Sequence, residues 1–313
     1  MSVKTYPVST ALKNLINQNS ASNLFNPLNS IEGAYIAKDF QEVITSTLSV
    51  ESEFGAIRIT GIPIKSDDEN NQLMKSICDL IGDAVGFSGE NNATMVQNLA
   101  PSAKHIHSKA GTGSKVDLEA HSDLAHLYPY NPDYLMLFCV NSGSGEQPKT
   151  TLFDINDLGK YVSKETFEHL KNTRYQYDLP ESFKGDISFS KKTLKCPIIQ
   201  EGNRLESCFQ FNTMRPIDEK SSDILSDIKS IISKNSDYIK FETGDLVILK
   251  NKRMLHGRSA FTPNFNEQTR LLKRLYVTKS INNLKEFTHY QINSLKLLDS
   301  ISYDNEIQQT DVA

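Results

Sequence analysis

Two short stretches, far apart along the chain, carry side chains of the types that bind transition metals. The first is the tripeptide His121-Ser122-Asp123. Residues i and i+2 of an extended chain point to the same side, so the imidazole of His121 and the carboxylate of Asp123 are predicted to converge. The second stretch runs from residue 244 to residue 259 and contains His256, which offers a third ligand. Two histidines and one carboxylate form a face that holds non-haem Fe(II) and leaves other coordination positions open.

The predicted site also needs a cation, because the open positions on such a metal suit a bidentate organic acid and O2. Arg270 follows His256 on the next predicted strand, and Arg274 lies one step of four further along. A guanidinium gives a carboxylate two parallel, charge-assisted hydrogen bonds. A His-x-Asp pair by itself is more often a surface pair than a metal site, and the addition of His256 and Arg270 is what favours the metal.

The composition argues against several other classes of protein. The chain has 313 residues and a formal net charge of −4, and its Lys and Arg residues are scattered, so nothing predicts binding to nucleic acid or to an anionic membrane. Its four cysteines share no C-x-x-C spacing and predict no disulfide framework. The N-terminus lacks a signal-peptide pattern, and no apolar run approaches the roughly 18 residues of a membrane span. These features predict a cytoplasmic protein.

Short strands, spread over more than half of the chain, dominate the predicted secondary structure. These strands are residues 55–64, 94–101, 134–140, 149–155, 175–177, 194–199, 207–212, 245–249, 255–259 and 269–278. Helices are predicted at residues 10–16, 40–48, 67–81, 163–172 and 221–234. They do not alternate with the strands as a parallel βαβ sheet requires. The pattern therefore predicts a mostly β fold with flanking α-helices, namely a double-stranded β-helix (jelly-roll) barrel with outer helices.

The chain shows no internal repeat, no low-complexity segment and no linker, which predicts one domain over residues 1–313. Residues 1–50 are interpreted as an accessory N-terminal segment, residues 55–278 as the jelly-roll core and residues 280–313 as a polar tail. Residues 104–117 are polar and rich in Gly and Ser, and they lead directly into the first metal-binding stretch. Such a segment is predicted to be a mobile loop that could act as a substrate lid.

Other polar residues near these stretches have simpler explanations. His126 fits no motif and is predicted to be structural. His105 and His107 lie in the polar loop, where solvated side chains are favoured over substrate contacts. Asp245 is predicted to be a turn residue, and Asp117 a solvated loop charge.

Four stretches together resemble the clavaminate-synthase-like branch of the Fe(II)/2-oxoglutarate-dependent dioxygenases, which includes bacterial arginine, asparagine and lysine hydroxylases. The stretches are His121-Ser122-Asp123 with the Tyr-Pro-Tyr-Asn-Pro-Asp-Tyr and Leu-Phe-Cys segments after it, Thr150-Thr151-Leu152-Phe153, Gly244-Asp245 through His256-Gly257-Arg258-Ser259-Ala260-Phe261, and Arg270 to Tyr276. The resemblance spans roughly residues 55–278, which is most of the chain.

This resemblance implies roles for particular residues. It implies that His121, Asp123 and His256 bind Fe(II). It also implies that Arg270 and Thr151 hold the distal carboxylate of 2-oxoglutarate. The best-known amino-acid hydroxylases of this branch carry Glu as the carboxylate ligand, so the shorter Asp123 departs from their pattern. The metal assignment is unaffected, whereas the transfer of one particular substrate is weakened.

For the substrate, the resemblance places Arg274 near the α-carboxylate of an amino acid and Gln97 near its α-amino group. Arg274 has an alternative role as a residue that snorkels from the barrel. Arg258 fits two roles equally, a second contact to 2-oxoglutarate or a surface salt bridge. Glu119 is a candidate partner for a cationic substrate side chain, and Arg215 is a further candidate for the substrate pocket.

The activity that the resemblance implies is hydroxylation of an unactivated C–H bond of a free L-amino acid, with lysine or arginine favoured. The enzyme would use Fe(II) as its cofactor and would consume 2-oxoglutarate and O2, giving succinate and CO2. Desaturation or ring closure, a carrier-tethered substrate and a carboxylate that is not an amino acid remain alternatives. A metal-binding barrel without turnover is the alternative from another class, and the predicted cosubstrate clamp argues against it.

Overall fold

The structure of the chain, a computed structural model, describes residues 2–18, 31–87, 90, 94–179, 193–265, 267, 269–284 and 292–293. Most of the predicted tail and part of the predicted accessory N-terminal segment lie outside these residues. The strands are β1 (Val3–Pro7), β2 (Ala56–Thr60), β3 (Asp83–Phe87), β4 (Val96–Leu99), β5 (Leu118–His121), β6 (Tyr134–Asn141), β7 (Thr150–Asp154), β8 (Tyr175–Tyr177), β9 (Thr193–Lys195), β10 (Ile198–Glu201), β11 (Arg204–Ser207), β12 (Met214–Arg215), β13 (Asp237–Ile239), β14 (Leu246–Lys250), β15 (Met254–Arg258), β16 (Leu271–Thr278) and β17 (Ile292–Asn293). The helices are α1 (Thr10–Gln18), α2 (Ile31–Leu48), α3 (Asp67–Cys78), α4 (Lys164–Asn172) and α5 (Glu219–Asn235).

Two sheets carry most of the fold. The large sheet has the strand order β1-β2-β14-β6-β16-β3-β17, with β4 also paired to β16. Its pairs are antiparallel except β1 with β2, which is parallel. The small sheet is antiparallel, with the order β13-β7-β15-β5. A hairpin of β10 and β11 and a three-stranded sheet of β12, β8 and β9 complete the described strands.

Alternation along the strands sorts their side chains into layers. On β6, Met136 and Phe138 join one apolar cluster with α1, α2 and α3. Leu135 and Leu137 point the other way, into a cluster shared with Leu152 of the small sheet. The opposite face of the small sheet packs on α4 and α5 in a third cluster. The layers are therefore three helices, the large sheet, the small sheet and two helices, with one apolar core between the sheets.

The predicted mostly β fold with flanking helices is confirmed, but its finer form is not fully reproduced. Within the described residues, the two sheets are not hydrogen-bonded to each other into a closed barrel. The strand predicted at residues 207–212 is wrong, because β11 ends at Ser207 and only an isolated bridge joins Gln210 to His121. Its apolar side chains instead fill the third cluster from an irregular segment. Seven strands were not predicted, namely β1, β3, β5, β11, β12, β13 and β17. Among the described residues, none of the helices has the length and apolar character of a membrane span.

Candidate active site

Three side chains converge at one end of the space between the sheets. His121 ends β5 and is paired directly opposite His256 of β15. Asp123 follows two residues later, with its Oδ1 3.2 Å from His121 Nε2 and its Oδ2 3.8 Å from His256 Nε2. One ligand atom from each residue lies within 4.8 Å of the others, and all three residues are buried. The structure thus brings together the ligand set that the two sequence stretches predicted.

The backbone around these residues explains how the strands approach so closely. A Cβ atom on Gly257 would lie 2.6 Å from the carbonyl oxygen of Leu118 and 2.8 Å from Thr151 Oγ1, so only glycine fits beside His256. The β5–β15 pairing shifts register between His256 and Arg258. This bulge and the glycine place the imidazole against its neighbour across the sheet.

Hydrogen bonds fix the orientation of two of the ligands. The Nδ1 atom of His121 lies 2.8 Å from the carbonyl oxygen of Glu119, which leaves Nε2 directed at Asp123. Asn251 is fully buried and holds the backbone of Asp123 at both ends. Its Oδ1 accepts from the Asp123 N–H at 2.8 Å, and its Nδ2 donates to the Asp123 carbonyl at 2.9 Å and to that of Pro132 at 3.0 Å.

The protonation states of the cluster suit a divalent metal. Burial raises the pKa of the Asp123 carboxyl, but Arg274 and the two imidazoles outweigh it and hold that pKa well below its usual range. Burial, followed by the neighbouring His121, lowers the pKa of His256 to about 3. A carboxylate and a neutral imidazole are the forms that bind metals. The Oδ2 atom of Asp123 is buried without a hydrogen-bond partner, so these residues fit the iron that the ligand set implies.

Two buried arginines lie beside this cluster without a carboxylate partner among the described residues. The guanidinium carbons of Arg258 and Arg270 lie 5.1 and 5.9 Å from the ring centre of Phe261. The Nε and Nη1 atoms of Arg258 and the Nε atom of Arg270 are buried without hydrogen bonds. Burial lowers the pKa of each guanidinium to about 10. Two buried and unpaired cations form a site for an anion.

Thr151 and a loop lie next to the strand that carries Arg258. Thr151 lies on β7 and pairs with Gly257, directly beside the ligand strand. The loop before β5 is tied to the segment after β15, where the N–H of Ala260 donates to Asp117 Oδ1 at 2.6 Å and the N–H of Phe261 donates to the carbonyl of Ser114 at 2.8 Å. The loop that the sequence predicts to be a lid thereby holds Phe261 between the two arginines.

Arg274 points inward, towards the metal ligands. Its Nη1 lies 3.6 Å from Asp123 Oδ2, its Nε donates to Gln97 Oε1 at 3.2 Å and its Nη2 donates to Glu90 Oε1 at 2.7 Å. The pairing of β16 with β4 sets Arg274 opposite Gln97. The side chain is 12% exposed, so it does not snorkel to the surface. Arg274 and Gln97, predicted from separate parts of the sequence, therefore lie in direct contact.

Glu90 is a residue that no pattern in the sequence singles out. It lies in the segment between β3 and β4 and is 3% exposed, and its Oε2 is buried without a hydrogen-bond partner. An acidic residue in a polar loop is solvated by default, and no motif surrounds this one. Only the tertiary structure shows that its carboxylate faces Arg274.

Two predicted substrate residues are engaged elsewhere. Glu119 Oε1 lies 2.6 Å from Lys229 Nζ and 3.4 Å from Lys109 Nζ. Arg215 is half exposed and forms an ion pair with Asp178 at 3.0 Å. The structure does not show either side chain in contact with the metal-ligand side chains, and their substrate roles stay predictions.

The polar residues that were predicted to be structural or solvated are not part of the metal-binding group. His126 is buried, and burial followed by the charge of Lys195 lowers its pKa to about 3. It is not part of the three-residue metal-binding group. His105 and His107 are exposed in the loop. Asp245 is buried and paired with Arg58, which is a structural role.

Comparison with known proteins extends these observations. The model of the family "Taurine catabolism dioxygenase TauD, TfdA family" matches residues 32–276. L-lysine 3-hydroxylase of Catenulispora acidiphila is 24% identical over 208 residues, which are 64% of this chain and 56% of that protein. Enduracididine beta-hydroxylase of Streptomyces hygroscopicus is 25% identical over 235 residues, which are 67% of each chain. The match therefore spans little more than half of the lysine hydroxylase.

Solved structures agree with the fold. A complex of asparagine oxygenase with Fe(II), 2S,3S-3-hydroxyasparagine and succinate superposes with a TM-score of 0.78, at 16% identity over 90% of this chain and 96% of that chain. The non-heme iron oxygenase OrfP in complex with Fe and alpha-ketoglutaric acid superposes with a TM-score of 0.75, at 19% identity over 91% of this chain and 96% of that chain. With most of its length matched by the family model, the chain belongs to the TauD/TfdA dioxygenase family.

Proposed function

We propose that this protein is an Fe(II)- and 2-oxoglutarate-dependent oxygenase that hydroxylates an unactivated C–H bond of a free L-amino acid and releases succinate and CO2. The observation that carries the proposal is the buried face of two histidines and one aspartate beside two buried, unpaired arginines. A site for a ferrous ion next to a site for an organic anion is what this chemistry needs.

In this proposal His121, Asp123 and His256 hold the iron. Fe(II) supplies, when bound, the redox chemistry that couples oxidative decarboxylation of 2-oxoglutarate to insertion of one oxygen atom from O2 into a C–H bond. The protein residues hold the three ligand atoms on one side, so the other side stays open. Asn251 keeps Asp123 in place, and the apolar core between the sheets limits access of water.

The arginine pair is proposed to bind 2-oxoglutarate. Arg270 and Thr151 hold the carboxylate at the far end of the cosubstrate, and Arg258 is a further contact to it. Support comes from the burial of both guanidinium groups and from the absence of a carboxylate partner for either one among the described residues. A bound carboxylate would satisfy both cations and offset the cost of burying them.

The amino-acid substrate is proposed to bind at Arg274, whose Nη1 lies 3.6 Å from Oδ2 of the iron ligand Asp123. Its guanidinium receives the α-carboxylate, while the unpartnered Oε2 of Glu90 receives the α-ammonium group and Gln97 orients Arg274. Two of the similar proteins are named for lysine and enduracididine. A basic amino acid such as lysine or arginine is therefore the first substrate to test.

We further propose that the two facing sheets form the jelly-roll (double-stranded β-helix) core of a single domain over residues 1–313. Fe/2-oxoglutarate oxygenases share this architecture, and the solved structures above cover nearly all of the chain. None of the four cysteines forms a disulfide bond, which fits a reducing compartment and a cytoplasmic location.

The test is a panel of the twenty L-amino acids incubated with Fe(II), 2-oxoglutarate and air. A substrate gains the mass of one oxygen atom, and succinate forms in proportion. Asp123→Ala and incubation without O2 serve as controls. Iron binding without succinate formation from any amino acid would refute the proposal and support a metal-binding protein without turnover.

A further inference from the structure

Arg274 has few N–H groups left for a substrate. Its Nη2 donates to both Gln97 Oε1 and Glu90 Oε1, and its Nε donates to Gln97. The Nη1 atom forms no hydrogen bond to a described residue and faces Asp123. A two-pronged arginine–carboxylate pair uses N–H groups on two different nitrogens. Arg274 is therefore placed to hold a carboxylate through one nitrogen only, which leaves the second carboxylate oxygen in need of another donor.

Tyr276 lies two positions further along β16, so its side chain points to the same face of the sheet as that of Arg274. The guanidinium carbon of Arg274 lies 4.6 Å from the centre of the Tyr276 ring, and Phe87 packs edge-on against that ring at 6.1 Å. These contacts fix the orientation of the Tyr276 side chain, and the residue is 1% exposed. The ring position is thus fixed by packing and not by its hydroxyl.

The hydroxyl of Tyr276 is buried and has no hydrogen bond of normal geometry with any described residue. The charges of Arg274, Asp123 and Glu90 act on it, and the Glu90 carboxylate is also within its hydrogen-bonding reach. Once Glu90 binds the α-ammonium group of a substrate, the Tyr276 hydroxyl is available to another acceptor. A buried hydroxyl without a hydrogen bond of normal geometry is destabilising, so this arrangement favours a ligand that accepts a hydrogen bond from it. Three oxygen atoms, namely Tyr276 Oη, Glu90 Oε2 and Asp123 Oδ2, are buried and unpartnered around one guanidinium.

We propose, on the basis of the function proposed above, that the Tyr276 hydroxyl donates a hydrogen bond to the second oxygen of the substrate α-carboxylate. Arg274 binds the first oxygen through Nη1. Together, Arg274 and Tyr276 make the site selective for a free carboxylate, which has two equivalent, charged oxygen atoms. An amide, an ester or a thioester offers only one carbonyl oxygen and carries no negative charge. An aminoacyl group tethered to a carrier protein through a thioester would leave Tyr276 unsatisfied and would be rejected.

The test compares Tyr276→Phe with the wild-type enzyme, using L-lysine and L-lysinamide, with L-asparagine and its α-amide as a second pair of probes. Tyr276→Phe retains the ring that stacks on Arg274 and removes only the hydroxyl. We expect the KM for the amino acid to rise about tenfold, because the variant loses one hydrogen bond to a charged group. The KM for its amide should change less than about threefold, and kcat and the KM for 2-oxoglutarate should stay unchanged.

Tyr177→Phe is the matched control. Tyr177 is also fully buried with an unpartnered hydroxyl, but it lies in the third apolar cluster, on the far side of the small sheet. This variant should leave every KM unchanged. Calorimetric titration of the same probes without oxygen provides a readout that does not depend on turnover.

The possible results separate this inference from the function it rests on. An active Tyr276→Phe variant with an unchanged KM for the amino acid, or with equal losses for acid and amide, would overturn the role of Tyr276 alone. If the wild-type protein neither binds nor oxidises any amino acid of the panel, the proposed function fails and the role of Tyr276 fails with it.

Discussion

Replacing Arg270 with methionine should strongly weaken 2-oxoglutarate binding without destabilising the ligand-free protein. Arg270 is 7% exposed, and burial lowers its pKa to about 10, so folding places its charge in an unfavourable environment. No described carboxylate pairs with it. Methionine has a similar length, carries no charge and fits apolar surroundings.

The expected magnitudes follow from these contacts. Removal of a bidentate contact to a carboxylate removes two hydrogen bonds to a charged group, and each contributes about 1.5–3 kcal/mol to binding. Because Arg258 remains nearby, the lower limit of about 3 kcal/mol applies, which corresponds to a rise of about 150-fold in the KM for 2-oxoglutarate. Replacement of buried charges by apolar side chains of similar volume is neutral or stabilising by about 1–4 kcal/mol. Loss of the contact with the Phe261 ring offsets about 0.5–1 kcal/mol of that gain.

Arg58→Met is a control of opposite sign. Arg58 donates from Nε and Nη2 to Asp245 Oδ2 at 3.1 and 2.6 Å, and the Asp245 side chain is 2% exposed. Its removal leaves a buried carboxylate without its cation, which costs about 3–5 kcal/mol. The folded variant should nevertheless bind 2-oxoglutarate normally, because Arg58 lies outside the proposed clamp.

Urea unfolding of the wild type and both variants, with and without 2-oxoglutarate and Mn(II), measures these effects. A ligand that binds only the native state raises its stability, so the wild type and Arg58→Met should gain stability on addition and Arg270→Met should not. The reasoning is refuted if ligand-free Arg270→Met loses as much stability as Arg58→Met. It is equally refuted if Arg270→Met keeps the wild-type requirement for 2-oxoglutarate.

Three other changes test the remaining parts of the site. Asp123→Ala and His256→Ala should each abolish succinate formation and bound iron while circular dichroism stays native, and full activity of either variant would contradict the metal assignment. Asn251→Ala should lower the free energy of unfolding by about 2–3 kcal/mol, because it leaves buried backbone groups unsatisfied, and should weaken iron binding about 10- to 100-fold in a metal titration. An unchanged iron affinity would show that Asn251 does not position the ligand. Glu90→Gln should raise the KM for the amino acid at least tenfold with an unchanged KM for 2-oxoglutarate, and a rise in both values would indicate general disruption.

The metal ligands could be predicted because their geometry is partly local. His121 and Asp123 are two residues apart on an extended segment, so their convergence follows from the backbone alone. His256 was found through the stretch around it, and the strand pairing that sets it opposite His121 could not be seen in the sequence. The amphipathic helix predicted at residues 221–234 is present as α5, because a one-sided apolar pattern identifies a surface helix directly.

The residues that were missed owe their roles to contacts across the fold. Glu90 and Asn251 are polar residues outside regular elements, and their burial depends on segments far away in sequence. Glu119 was expected to face a substrate, but α5 brings Lys229 to it from 110 positions away. Strand β1 has a short pattern that includes a proline, and it forms only by parallel pairing with the edge of β2.

The division of the site between the two sheets has a consequence for how it binds its ligands. His121 and His256 belong to the small sheet, whereas Arg274 and Tyr276 belong to the large sheet and Arg270 directly precedes β16. Between these sheets lies an apolar cluster, and apolar contacts are not directional. A bound iron with its cosubstrate would add directional, charged links across that contact. Ligand binding should therefore stabilise the packing of one sheet on the other. The buried charges that lower the stability of the protein are thus the same groups that select its ligands.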